Sequence, residues 1–381
     1  MIKLSSIITI VFITSFLILS CKNNSNTEEK MIDEKEFGKL NDGSVVTIYS
    51  LKNEKGATAK ITNYGAIVVS LCVPDKNGKM EDVVFGFDSL EGYVNNKTFI
   101  GTIVGRYGNR IGKGKFKIDN EEYQVTVNDG NNHLHGGNVG FYKALWNSKA
   151  EMTADGPSVK LEYLSKDGEE GYPGNLKIQV VYTLTNNNEL DIKYTATTDK
   201  PTIINPTQHS YFNISGNMEK TILDNELWID ADYYTPIDSE SITTGKLDSV
   251  QNTPFDFRKP TKIGLRINDE NEQLKNGQGY DHNWVINNAD GTVKKVCTLY
   301  DAESGRLMEV LSDEPGIQFY SGNFIDGTFT GKNGIKYQHR TALCLENQHY
   351  PDSPNKENFP SVRLNPGETY SQHTIYRFLI K

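Results

Sequence analysis

From about residue 36 onward, apolar and polar positions alternate with a period of two, the spacing of a strand with one buried face, and not with the 3.6 of a helix. The run Lys177-Ile178-Gln179-Val180-Val181-Tyr182-Thr183-Leu184-Thr185 is followed by Asn186-Asn187-Asn188 and then by Glu189-Leu190-Asp191-Ile192-Lys193-Tyr194-Thr195. Two β-rich runs around a turn-forming tripeptide predict a hairpin. The same design recurs in residues 66–73 and 82–87 around Asp75-Lys76-Asn77-Gly78, and in 115–118 and 123–127 around Asp119-Asn120. It returns in 296–300 and 307–311 around Glu303-Ser304-Gly305. Helical signals are few and short: one turn near 89–93 and another over 261–266. There is no repeat of fixed period and no Pro/Ser-rich linker inside the body. The pattern predicts one β-dominated domain over residues 36–381, with its chemistry on strand ends and loops.

The first twenty residues stand apart. Lys3 supplies a short positive start, and residues 7–19 form an apolar stretch broken only by Thr9, Thr14 and Ser15. That length suits the core of a signal peptide better than a bilayer-spanning helix. The stretch runs into Ile18-Leu19-Ser20-Cys21, which resembles the bacterial lipobox, where the Cys is lipidated and becomes the new N-terminus. The competing reading is an ordinary signal peptide followed by a chance Cys. Residues 22–30 are dominated by Asn, Ser, Thr and Glu and read as a solvated tether. The expectation is a signal peptide over 1–20, then lipidated Cys21 and a tether over 21–35. The body would be exported to the bacterial cell envelope, facing the periplasm, and would meet the membrane only through its lipid.

Composition narrows the function classes. With 36% hydrophobic residues and a net charge of −9, the chain is neither disordered nor a multi-span membrane protein. Nucleic acid is an unsuitable partner, because counterion release needs clustered Lys and Arg. Once Cys21 is assigned to lipid, Cys72, Cys297 and Cys344 remain, all in apolar strand-like runs. They read as small buried hydrophobes, with no disulfide framework and no Cys-x-x-Cys site.

Candidate chemistry lies in six polar-aromatic clusters. In Gly105-Arg106-Tyr107-Gly108-Asn109-Arg110-Ile111, arginines flanked by glycines offer planar charged donors to ligand oxygens. Asn131-Asn132-His133-Leu134-His135-Gly136-Gly137 invites a zinc reading, but the turn residues around it suggest a loop and no carboxylate completes the set. One loop His bonding a ligand is the better reading. In Gln208-His209-Ser210-Tyr211-Phe212-Asn213, Ser210 and His209 face opposite ways on a strand, so a Ser nucleophile is disfavoured and His209 beside Tyr211 is the candidate imidazole. Gly279-Tyr280-Asp281-His282-Asn283-Trp284 and Gly316-Ile317-Gln318-Phe319-Tyr320 follow. The last cluster, Leu345-Glu346-Asn347-Gln348-His349-Tyr350, puts Glu346 at the end of an apolar strand, where reduced hydration would raise its pKa towards the range of a general base. Aromatics, amides, Arg and carboxylates in one β protein are the chemistry of a sugar site.

In this order the clusters resemble the aldose 1-epimerase (galactose mutarotase) family, as does the tail Leu364-Asn365-Pro366-Gly367-Glu368-Thr369-Tyr370. The resemblance covers roughly residue 36 to the end. It implies an all-β fold, a large antiparallel β supersandwich of the galactose mutarotase type. It also implies interconversion of the α and β anomers of a free hexose such as galactose or glucose. Carried over, Glu346 is the base and His209 the acid, while His135 bonds near the ring oxygen. Asn109, Arg110 and Asp281 bind hydroxyls, with Gln318 and Tyr211 completing the wall and Arg106 ranked below Arg110. An ionised Glu and a His near its reference pKa of about 6.5 would supply the acid/base pair at neutral pH. No metal or other cofactor is required, although loop carboxylates leave room for a structural Ca2+. The partner is a small aldohexose, met as a monomer or weak dimer. Gln208 stands where the family commonly has Asn, which puts the seating of the imidazole in question. The rival readings are a non-catalytic carbohydrate-binding lipoprotein, a glycoside hydrolase using Glu346 and Asp281, and a sugar-phosphate epimerase, which would want more cations.

Overall fold

Among the described residues the period-two pattern becomes three large antiparallel sheets that contribute to one apolar core, with four two-stranded ribbons beside them. The computed structural model describes residues 30–95 and 98–381, and the signal and lipidation expectations, Cys21 included, lie outside them. Met31–Lys381 group as one compact unit. The largest sheet has nine strands in the spatial order Asn147–Met152, Pro157–Ser165, Leu176–Leu184, Glu189–Thr198, Tyr370–Ile380, Arg306–Ser312, Lys294–Tyr300, Glu226–Ile229 and Thr261–Lys262. The predicted hairpins at 177–195 and 296–311 sit in it, the first closing at Leu184 opposite Leu190. Their alternation is read out as burial: Ile178, Val180 and Tyr182 are buried while Lys177 is exposed.

A five-stranded N-terminal meander runs Ile32–Lys39, Val45–Lys52, Thr58–Thr62, Val68–Pro74 and Met80–Asp82. Its first strand takes in residues 32–35, which composition had assigned to the tether. Asp33, Glu34, Lys35 and Glu36 make that segment look like linker, yet it pairs along Val45–Lys52 as an edge strand whose charges stay outside. Residues 83–87 leave the meander after Asp82, and Val84 makes only an isolated bridge to Phe212. Short turns do form at Leu90–Asn95 and Ile263–Leu265. Cys297 and Cys344 are buried as expected, whereas Cys72 is only partly covered; all three are free thiols.

The second five-stranded sheet positions the site. Its spatial order is Asp248–Ser249, Tyr233–Thr235, Asp281–Val285, Gly316–Tyr320 and Cys344–Gln348. Registers pair His282 with Phe319 and Phe319 with Leu345, so these residues share one face with Trp284 and Ile317. Trp284, Ile317, Phe319 and Leu345 belong to the main apolar core together with Tyr182, Leu299 and Val310 of the nine-stranded sheet. The opposite face carries Asp281, Asn283, Gln318, Tyr320, Cys344 and Glu346. One alternation therefore anchors the sheet on its apolar side and lines up polar chemistry on the other. Among the described residues, no helix is long and apolar enough to cross a membrane.

Candidate active site

A cavity of about 170 Å³ opens over that polar face. It is lined by Asn109, Arg110, His135, His209, Tyr211, Asp281 and Glu346, with Phe99, Tyr320 and Phe324 among the aromatic wall. Seven of the eight residues picked out by the sequence for this site thus meet in one place. Gln318 stands behind the wall, its Nε2 donating to Asp281 Oδ1 at 2.7 Å.

Two loops bring in the rest. Arg110–Ile111 pairs with His133–Leu134 as a two-residue ribbon. Asn109 N–H donates to His135 Nδ1 at 3.0 Å, and His135 N–H returns a bond to the Asn109 carbonyl at 3.1 Å. With Nδ1 an acceptor, the neutral His135 ring carries its proton on Nε2, the nitrogen left for a ligand. Asn109 (φ 59°), His135 (φ 51°) and Phe99 (φ 58°) all hold left-handed backbone conformations around the cavity. Strain gathered at non-glycine residues of one pocket is a mark of a site held in shape for a ligand. Arg110 Nε donates to Asp129 Oδ2 at 2.8 Å, leaving the end of the fork towards Asp281, whose Oδ2 lies 4.0 Å from Nη1. Arg106 turns the other way. Its buried guanidinium donates to the carbonyls of Pro173, Gly174, Ser165 and Lys166, so it braces the loop from behind.

His209 follows the short strand Thr207–Gln208, and its backbone is clipped to Thr102 and Gly101. The Gln208 amide donates to the Gly101 carbonyl and accepts from the Ser210 N–H, holding the main chain on either side of His209. The His209 ring packs against His135 at 5.0 Å, Tyr211 at 5.1 Å and Phe99 at 5.9 Å between centroids. Tyr211 contributes its ring, because its hydroxyl is taken up by the Thr98 carbonyl at 3.0 Å. His209 Nε2 lies 3.8 Å from Glu346 Oε1, and Glu346 Oε2 is buried with no partner among protein atoms.

Burial sets the direction of each shift: the rise expected for Glu346 is found, whereas the ordinary imidazole value expected for His209 is not. Desolvation brings His209 down to about 4 and holds His135 well below the usual imidazole range, His209 and Arg110 adding to the latter effect. Desolvation, reinforced by Asp281, pushes Glu346 well above the ordinary carboxylate value. Asp281 is raised by its own burial, with Arg110 and Gln318 pulling the other way. Burial thus disfavours the charged form of both groups, lowering the imidazole and raising the carboxyl. An imidazole and a carboxyl this close are chemically suited to act as acid and base in turn.

His135, His209 and Glu346 also offer three donor atoms within 4.8 Å of one another. A tetrahedral zinc needs its ligand atoms about 3.4 Å apart, so this set would have to contract to grip one. Tyr320 lay inside one of the sequence clusters without a role of its own, and Phe99 and Phe324 were not singled out at all, since apolar residues in loops look like core. His133 and His282 are buried away from the cavity. The first bonds Tyr172 and the Thr126 carbonyl, and the second packs on Phe255.

The chain matches the family model described as aldose 1-epimerase over residues 47–377. It is 43% identical over 321 residues to the galactose mutarotase of Bos taurus, covering 84% of this chain and 90% of that one. It is 36% identical over 341 residues to the aldose 1-epimerase of Escherichia coli K12, covering 89% and 96%. The crystal structure of galactose 1-epimerase from Lactobacillus acidophilus NCFM superposes with a TM-score of 0.82 at 29% identity, covering 92% of this chain and 98% of that one. With the supersandwich sheets and the polar cavity carried by one matched stretch, this chain belongs to the aldose 1-epimerase family.

Proposed function

We propose that this protein interconverts the α and β anomers of free aldohexoses, galactose and glucose among them, with Glu346 and His209 as the proton-transfer pair. The observation that carries the assignment of roles is the approach of His209 Nε2 to Glu346 Oε1 at 3.8 Å inside a cavity walled by hydroxyl-binding groups. Anomerisation needs a base at the C1 hydroxyl and an acid at the ring oxygen, followed by rotation about C1–C2 and closure with the roles exchanged. A sugar hydroxyl donating to the unpartnered Glu346 Oε2 supplies the hydrogen bond that stabilises the carboxylate. The carboxyl proton is thereby released to His209 and onward to the ring oxygen, while the carboxylate takes the proton of the C1 hydroxyl. Opening leaves Glu346 protonated and His209 neutral, the state that burial already favours. Closure reverses both transfers, and no covalent intermediate forms. His135 Nε2–H would steady the ring oxygen, while Arg110, Asp281 and Asn109 bind hydroxyls at the other end.

The proposal extends to placement. The Ile18-Leu19-Ser20-Cys21 sequence after an apolar stretch supports export and lipidation at Cys21, which would tether the enzyme in the cell envelope where incoming sugars arrive. Saturation-transfer NMR between the anomeric protons of α and β sugar tests the activity, with galactose and glucose run side by side. Enzyme-dependent transfer for either is the expected result, and its absence for both contradicts the assignment. Metabolic labelling with a fatty-acid probe, compared with Cys21→Ser, tests the anchor. Label that persists in the variant rules it out.

A further inference from the structure

Cys344 stands two residues before Glu346 on the same strand face, and its Sγ lies 3.6 Å from Nδ1 of His209. The sulfur is fully buried, and burial together with Glu346 and Asp281 keeps it a thiol rather than a thiolate. No other polar side chain is bonded to the His209 ring within the described residues, although the ring also reaches its own backbone carbonyl, which can only accept. On the far side, Nε2 faces Glu346, the carboxylate with a buried oxygen left unpartnered by protein. The two ring nitrogens thus meet different chemistry: the Cys344 sulfur at Nδ1, the carboxyl of Glu346 at Nε2.

We propose that Cys344 is a positioning residue whose sulfur accepts the Nδ1–H of His209, so that Nε2 is the nitrogen through which the imidazole gives and retakes its proton. The inference rests on the acid/base roles proposed above and adds the tautomer they require. In the reacting state both nitrogens carry protons. Nε2 passes its proton to the sugar ring oxygen and recovers it on closure, while the Nδ1 proton stays on the ring throughout. A neutral His209 protonated on Nε2 instead would have to become an imidazolate to act as acid, which is far too costly. The contact to sulfur is weak, and its use lies in direction: it favours one of two tautomers and one ring orientation, which the packing of Phe99, His135 and Tyr211 then holds.

The test reads the tautomer and the rate separately. Long-range 1H–15N correlation on the free, selectively labelled protein should show His209 with Nδ1 protonated and Nε2 bare at neutral pH. Cys344→Ala should mix the two tautomers and lower kcat roughly 3- to 10-fold with little change in KM, the scale of one modest hydrogen bond. Cys344→Ser, which restores an acceptor, should recover both the Nδ1–H signal and most of the rate. A parent protein with Nδ1 unprotonated overturns the proposal, as does a folded Cys344→Ala variant with an unchanged His209 spectrum and an unchanged kcat. Because the spectrum is taken without sugar, a correct tautomer in a protein without mutarotase activity would sink the functional reading alone.

Discussion

Replacing Glu346 with Gln should make the protein more stable at neutral and alkaline pH. Glu346 is 2% exposed, its Oε2 has no protein partner, and its near neighbour His209 is held neutral by burial. A negative charge there is poorly compensated, burial and Asp281 outweighing Arg110, so its folded-state pKa lies well above the ordinary carboxylate value. A folded pKa above the unfolded one means that the native state binds this proton more tightly. The unfolding free energy then falls as pH rises from the unfolded value through the folded one, and the loss is complete above it. A buried group without a partner costs about 1–3 kcal/mol, more when charged. Gln keeps the shape and removes the charge, so a gain of about 1–3 kcal/mol is expected at pH 8. With about 2 °C per kcal/mol for a large domain, Tm should rise by roughly 2–6 °C. The advantage should shrink as pH falls towards the unfolded carboxylate value, where the parent is protonated in both states. Thermal unfolding followed by circular dichroism at pH 8 and pH 4.5 measures both arms. A variant less stable than the parent at pH 8, or an advantage that grows on acidification, would refute the reasoning.

Other perturbations separate bracing from binding. Arg106→Met strands four carbonyl acceptors in a buried pocket and should cost about 3–5 kcal/mol, read as a lowered urea midpoint. Arg110→Lys keeps the charge but loses the fork that bonds Asp129 while facing Asp281; KM should rise about 10- to 100-fold with a smaller change in kcat, and an unchanged KM would remove Arg110 from the binding site. Prolonged dialysis against EDTA should leave activity intact if His135, His209 and Glu346 work as proton-transfer and hydrogen-bonding groups; loss that zinc restores would mean that the three hold a metal.

How much of this was legible from sequence depends on range. The hairpins at 177–195 and 296–311 were visible because a strand with one buried face writes its period locally. The pairing of Glu189–Thr198 with the C-terminal strand Tyr370–Ile380 joins distant segments and leaves no local signal. Residues 83–87 looked like a strand because Val83, Val84 and Phe85 are apolar in succession, yet they are wrapped on all sides and leave the ladder. The short helix Glu272–Gly277 was passed over, although Asn271 caps it by accepting from Gln273 and Leu274 N–H groups. The polar members of the site stood out because they fall in six polar-aromatic clusters whose order resembles the aldose 1-epimerase family. What sequence could not supply was their charge state. The apolar run before Glu346 gives the direction of its shift, but nothing in the order of residues around His209 says how far the imidazole is removed from water.

The central claim is that Glu346 and His209 together open and close an aldohexose ring. Polarimetry on freshly dissolved α-D-galactose and α-D-glucose tests it directly, using the parent chain, Glu346→Gln, His209→Asn and the double variant. The account predicts acceleration by the parent and a loss of about 10²- to 10⁴-fold in each single variant. The double variant should be little worse than either single one, because the two groups act as a unit. Single variants that retain rates near the parent's, with the fold intact, would contradict it.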